Sequence, residues 1–179
     1  MTITVFTPTY NRAYCLDRVF KSLKDQTFKN FEWLIVDDGS NDNTFEVVEK
    51  FGKCASFPIR YFYQENGGKH NAINKGVSEA KGEFIIIADS DDTFKANALE
   101  CFYNQFQSIP NKENYAGIWC LVEDENGFII GDKFPENTWD CDLVEFYFKK
   151  RIQGEKWQMI RTEVMKSHPM PDIRIKGLY

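Results

Sequence analysis

Between Thr4 and Phe106, short apolar runs suited to strands alternate with stretches whose apolar residues recur at helical spacing. The strand runs are Thr4-Val5-Phe6-Thr7, Glu32–Val36, Ile59–Tyr63 and Phe84–Ala88. Helices are expected from about Arg12 to Gln26, near Thr44–Phe51, near His70–Ala80, and over the segment carrying Leu99, Phe102, Tyr103 and Phe106. Leu16, Val19, Phe20 and Leu23 fall on one helical face, as do Ile73, Val77 and Ala80. Such alternation folds into a parallel α/β sheet flanked by helices, and ligands of such sheets gather at the carboxyl ends of the strands. The residues that follow each strand therefore carry the functional information.

The second half breaks this rhythm. Tyr115–Val122 and Phe128–Ile130, joined by Glu123-Asp124-Glu125-Asn126-Gly127, read as a hairpin with a polar turn. Gly131–Trp139 reads as loop, Asp142–Lys149 as a short helix and Lys156–Ile160 as another strand. With 179 residues and no linker or repeat, one domain is expected, burying roughly 70% of its unfolded surface. No apolar run approaches the ~20 residues of a membrane span, and the first residues lack a signal-peptide pattern. Cys15, Cys54, Cys101, Cys120 and Cys141 are scattered without a CxxC pair, as reduced thiols in a cytoplasmic protein would be. A net charge of −5 argues against a nucleic-acid partner. The charge is uneven: eight basic and three acidic residues lie from Lys149 onward, leaving −10 on residues 1–148. That basic stretch, 149–176, is either ordinary solvated surface or a peripheral contact with anionic lipid at the inner membrane face.

Four loops carry chemistry. Phe84–Ala88 delivers Asp89, Asp91 and Asp92 into one turn, and crowded carboxylates repel unless a cation lies among them. Mg²⁺ and Mn²⁺ prefer such oxygen ligands and commonly bring phosphate oxygens along. Val36-Asp37-Asp38-Gly39-Ser40-Asn41-Asp42 places Asp38 where a carboxylate could accept from a base or ribose, while Asp42 or Asn43 suits a helix start. Pro8-Thr9-Tyr10-Asn11-Arg12 turns a strand end into a helix, with Asn11 as a possible cap and Arg12 as a bidentate anion clamp. Asn66-Gly67-Gly68-Lys69 permits close backbone approach beside a mobile positive charge, though without Walker-loop spacing. His70, beside it, is read as a packing residue.

In these motifs, together with Gly82-Glu83-Phe84, the sequence resembles family 2 glycosyltransferases of the GT-A fold, strongly so from Met1 to about Leu99. The resemblance implies a nucleotide-diphospho-sugar transferase fold, Rossmann-like, with a mixed, mostly parallel sheet. It divides the chain into a nucleotide-sugar and metal-binding half, 1–99, and a partial acceptor-side half, 100–179. It implies nucleotide-sugar binding by Pro8, Thr9, Tyr10, Arg12, Asp38, Gly68, Lys69, Asp89 and Ser90. Within that set Pro8 and Tyr10 border the base, Asp38 bonds to it and Asp89 holds the ribose side. Asp91 is implied as ligand to Mn²⁺ or Mg²⁺, with Asp89 as a second contact and Asp92 as a supporting ligand or helix cap. The implied reaction is an inverting, metal-dependent sugar transfer from a UDP-sugar to a glycan or lipid-linked acceptor, as in polysaccharide biosynthesis. Asp38 alone does not distinguish uracil from guanine or thymine.

An inverting transfer needs a carboxylate base. No catalytic base is identifiable: Asp172 reads as a turn residue, and Glu155 and Glu163 flank the Trp157 strand. The expectation is a chain cut short that binds donor with metal but transfers sugar poorly, or a donor-binding remnant. Phe84–Thr93 also fits a haloacid-dehalogenase-type phosphatase pattern, with Asp89 as nucleophile and Asp91 as general acid. That alternative leaves the Asp37-Asp38 motif unused. Trp119, Trp139 and Trp157 suit core packing or a sugar platform.

Overall fold

A computed structural model describes residues 1–171, so Asp172 and the basic residues Arg174 and Lys176 lie outside the described residues. The chain runs β1 (Ile3–Thr9), α1 (Leu16–Lys24), β2 (Phe31–Asp37), α2 (Thr44–Cys54), β3 (Ile59–Tyr63), α3 (Lys69–Glu79), β4 (Phe84–Ile87), α4 (Ala98–Ser108), β5 (Gly117–Leu121), β6 (Lys156–Arg161) and α5 (Thr162–Ser167). The strands form one sheet in the order β3-β2-β1-β4-β6-β5. β1 pairs in parallel with β2 and β4, β2 pairs in parallel with β3, and β6 runs antiparallel to β4. The sheet is thus mixed and mostly parallel.

Two compact units are distinguished: residues 1–118 with the chain from Met159 onward, and Trp119–Gln158. In the first, β1 and β2 are buried along their whole length, as strands covered on both faces must be. The period of two sends Leu34 and Val36 to one face, where they meet Phe6, Ile85 and the Ala72, Ile73 and Val77 face of α3. Gly76 allows that approach, since a Cβ there would lie 2.3 Å from the Phe6 ring. Trp33 is also fully buried; its ring stacks with Phe20 of α1 and Phe51 of α2, and its Nε1 donates to Thr7 Oγ1 at 2.9 Å. Glu32, also fully buried, accepts from Thr4 Oγ1 (2.7 Å), the Lys81 amide (3.0 Å) and Arg60 (3.3 Å). A buried carboxylate persists when its lone pairs are met in this way.

Pro8 sits inside a central strand, where a missing N–H ordinarily costs a ladder bond. Here the Phe6–Ile87 pair is the last of the β1–β4 register, whereas β1 stays paired to β2 through Thr9 and Asp37. The Ala88 amide donates to Phe6 O, so the position two residues on faces the side where β4 has already ended. The proline costs nothing there, and β1 emerges next to the turn that follows β4.

The expected helix from Arg12 begins at Leu16 instead. Asn11 adopts φ 52° and is not its cap; the Asn11 and Ala13 amides donate to Ser40 Oγ (2.8 Å) and Asp42 Oδ2 (3.0 Å), and the Asn41 amide donates to Asn11 Oδ1 (2.8 Å). Amides that a first helical turn would leave unsatisfied thus tie the β1–α1 loop to the β2–α2 loop.

In the second unit the expected hairpin narrows to a Glu123–Ile129 bridge around an Asp124–Gly127 turn, with Asp124 Oδ1 accepting from the Asn126 and Phe128 amides. The expected helix over Asp142–Lys149 contains a π-helical turn, Glu145–Lys149. Phe146 is buried against Phe134 and Trp139. Among the described residues no helix is long and apolar enough to cross a membrane.

Candidate functional site

The carboxyl ends of β1, β2 and β4 open into a cavity of about 320 Å³. It is lined by Pro8, Thr9, Tyr10, Arg12, Asp38, Gly68, Lys69, Asp89, Ser90 and Asp91, which are the residues singled out from sequence. Asn66 and Ala72 line it as well. Asn66 stood in a motif already noted, whereas Ala72 left no signal beyond its helical position. Thr9 Oγ1 is buried in this wall without a hydrogen-bond partner.

Asp37 and Asp38 have different jobs. Asp37 is buried; its Oδ1 accepts the Ser40 amide (2.8 Å) and its Oδ2 the Tyr61 hydroxyl (2.5 Å). Burial first, then the bond to Asp37 and its charge, push the Tyr61 phenol far above its ordinary value, so Tyr61 remains a donor. Asp38 lines the cavity, but its Oδ1 accepts Gln64 Nε2 (2.7 Å) and the Gly67 amide (3.0 Å), and its Oδ2 accepts the Gly68 amide (2.8 Å). A carboxylate has about four acceptor directions, so roughly one is left for a ligand. Asp38 therefore shapes the Gln64–Gly68 turn and presents that turn to the cavity. Gly39, at φ 88°, lets the two loops close: a Cβ there would lie 2.8 Å from the Asn66 amide nitrogen. Asp42 faces away, accepting from Thr44 and Ala13. Burial pushes its carboxyl up, but the bonds from the Thr44 hydroxyl and the Ala13 and Thr44 amides outweigh this and hold it below its usual value.

The acidic turn after β4 is not a cluster of bare carboxylates. Lys69 Nζ, at the first position of α3, lies 2.7 Å from both oxygens of Asp89. Arg12 Nη1 lies 3.6 Å from Asp91 Oδ2 and donates to the Tyr14 hydroxyl. Asp92 caps no helix: its Oδ2 accepts the Asp89 amide at 2.8 Å, while its own amide donates to Asp89 O at 3.1 Å, and α4 starts only at Ala98. Lysine, arginine and a backbone amide thus each meet one of the three carboxylates. Among the described residues no three His, Cys, Asp or Glu side chains form a ready metal cage. Glu163 lines a different cavity with Lys81, Arg161 and Lys166, so it is not brought to this site.

A family model described as Glycosyl transferase family 2 matches residues 4–163. Glycosyltransferase GlyG of Streptococcus pneumoniae is 42% identical over 120 residues, covering 63% of this chain and 40% of its own length. The GalNAc(5)-diNAcBac-PP-undecaprenol beta-1,3-glucosyltransferase of Campylobacter jejuni is 34% identical over 171 residues, covering 92% of this chain and 53% of its own. The chain spans about half or less of the length of these curated relatives. Among solved structures, S. aureus TarS 1-349 superposes with a TM-score of 0.75 at 24% identity, over 99% of this chain and 52% of that one. The mannosyltransferase PcManGT of Pyrobaculum calidifontis superposes with a TM-score of 0.68 at 19% identity, over 95% and 47%. These likenesses show the GT-A fold.

Proposed function

The chain belongs to glycosyl transferase family 2, and we propose that its cavity binds the nucleotide-diphosphate end of a sugar donor, UDP-linked, for transfer to a glycan or lipid-linked acceptor. The observation that carries this is the convergence of the whole candidate set on one concave site at three strand ends. Its volume is in the usual range for small-molecule sites. Tyr10, half-exposed beside buried Pro8, offers a face for a base, and the last acceptor direction of Asp38 suits an imide N–H. The amino end of α3 favours negative charge, and Lys69 and Arg12 add cations to the lining. Asp89 and Ser90 line the ribose side.

A divalent cation fits this donor set. Asp91 is half-exposed at the cavity with hard carboxylate oxygens, and Mg²⁺ or Mn²⁺ typically takes one or two carboxylates and completes its shell with phosphate and water. Asp91, with Asp89 as second contact, would hold it, and it would supply Lewis-acid stabilisation of the leaving diphosphate. Lys69 and Arg12, which pair with Asp89 and Asp91, would hold the diphosphate oxygens. The name of the Campylobacter relative supports a lipid-linked acceptor. Inversion at the sugar follows the family pattern, with the base unassigned.

Thermal-shift titrations with UDP, GDP and dTDP, each with Mn²⁺, test the donor reading. A ligand at a hundredfold excess over its Kd adds about 2.7 kcal/mol, roughly 5–11 °C for a chain of this size. UDP is expected to give that shift; no shift with any of the three would overturn the reading.

A further inference from the structure

The second unit carries a surface that the donor site does not use. Leu143, Val144, Tyr147 and Phe148 are 53%, 57%, 48% and 75% exposed. Their spacing, i, i+1, i+4 and i+5, puts them on one side of a helical turn, while Phe146 between them is buried and makes ring contacts with Phe134 and Trp139. Four large apolar side chains side by side on an exposed turn are not what a solvated face holds.

The turn's charge is polarised along its length. Asp142 and Glu145 stand at its start, where Asp142 Oδ1 accepts the Glu145 amide at 2.7 Å. Burial first, then the charges of Glu145, Asp142 and Asp140, raise the Cys141 thiol beside them. Lys149, Lys150 and Arg151 follow directly after Phe148 and are all exposed. Their placement is fixed by backbone: the Lys150 amide donates to Glu145 O (2.8 Å), Arg151 turns at φ 53°, and the Ile152 amide returns to Phe146 O (3.2 Å).

We propose that Leu143, Val144, Tyr147 and Phe148, with Lys149, Lys150 and Arg151, form an interfacial anchor that docks this chain on an anionic lipid surface. Aromatic and aliphatic side chains beside a basic cluster match the two components of interfacial binding, acyl-boundary burial and attraction to anionic headgroups. A turn this short lies on a bilayer and does not span it. The three cations of this patch open the basic stretch 149–176. Docking there does not depend on the donor reading, because vesicle binding requires no nucleotide.

The test is co-sedimentation of the chain with phosphatidylcholine vesicles, with and without phosphatidylglycerol, at low and raised salt. Wild type should bind the anionic vesicles preferentially and weaken with salt. Lys149→Gln/Lys150→Gln/Arg151→Gln should lose roughly a hundredfold, at about fivefold per basic residue. Tyr147→Ser/Phe148→Ser should lose binding at low salt also. The basic positions and Phe148 are exposed, so the basic variant and Phe148→Ser alone should melt as wild type does, separating lost docking from misfolding, whereas Tyr147 also meets the Phe146 ring at 4.8 Å. Equal binding to neutral and anionic vesicles, or binding indifferent to both variants, would overturn the proposal. So would a dimer in light scattering that Phe148→Ser dissociates while wild type ignores vesicles, since the patch would then face a second copy.

Discussion

Asp38→Asn separates two roles for one carboxylate. If Asp38 organises the Gln64–Gly68 turn, the substitution acts before any ligand arrives. The amide oxygen can take the place of Oδ1 and keep the Gln64 and Gly67 bonds, both then to a neutral acceptor. The amide nitrogen must then face the Gly68 N–H, donor against donor. Losing charge assistance costs about 1 kcal/mol for each of the two retained bonds, and the stranded Gly68 donor about 1–3 kcal/mol, for roughly 3–5 kcal/mol in all. In a chain of this length that lowers Tm by roughly 6–20 °C. The sharper assay is amide hydrogen exchange on the donor-free protein, where Gly67 and Gly68 should lose protection more than β2 does. UDP affinity should fall with it. If nucleotide affinity falls while Tm and Gly67/Gly68 exchange stay at wild-type values, Asp38 acts only by contacting the base and the organising role is refuted.

Lys69→Met should change two affinities in opposite directions: Mn²⁺ alone binds a few-fold more tightly once Asp89 loses its competing cation, while UDP with Mn²⁺ binds more weakly. Isothermal titration reads both, and movement in the same direction would sink the exchange of partners proposed for Lys69. The exposed Lys69–Asp89 pair itself contributes only about 0.2–1 kcal/mol, so Tm should hardly move. Gly76→Ala gains about 1 kcal/mol of helix propensity but forces a Cβ into the Phe6 ring, an overpacking cost of about 1–3 kcal/mol. Urea denaturation should show a net loss, and a more stable variant would contradict the packing described. The Asp42 carboxyl sits below its unfolded value, so its bonds stabilise above that value and lose effect as pH falls through the folded one. The Tm gap between wild type and Asp42→Asn should be widest at neutral pH and close in acid; a gap independent of pH would refute this.

Much of the architecture was legible because burial on both sheet faces writes long apolar runs at β1, β2 and β4, and the α3 face repeats at helical spacing. The cavity lining was legible because parallel topology fixes where polar strand ends must gather. What local pattern could not show is pairing across the chain. Asn11–Cys15 lies where the helix is expected to start, yet the Asn11 and Ala13 amides are spent on Ser40 and Asp42, each twenty-nine positions away. Asp37 and Glu32 look like surface acids until Tyr61, Thr4, Lys81 and Arg60 are placed around them. The acidic turn suggested bare carboxylates because Lys69 and Arg12 reach it only through the fold. The hairpin and the short helix of the second unit were weakly written, since neither builds a long periodic face.

In the proposed function Asp89 and Asp91 seat a cation with the donor diphosphate. Calorimetric titration of UDP with Mn²⁺, and again with EDTA, on wild type and Asp91→Ala tests it most directly. UDP should bind with Mn²⁺, and that binding should be abolished by EDTA and lost in Asp91→Ala with the fold intact by circular dichroism. UDP binding of equal strength in EDTA, or undiminished in Asp91→Ala, would contradict it.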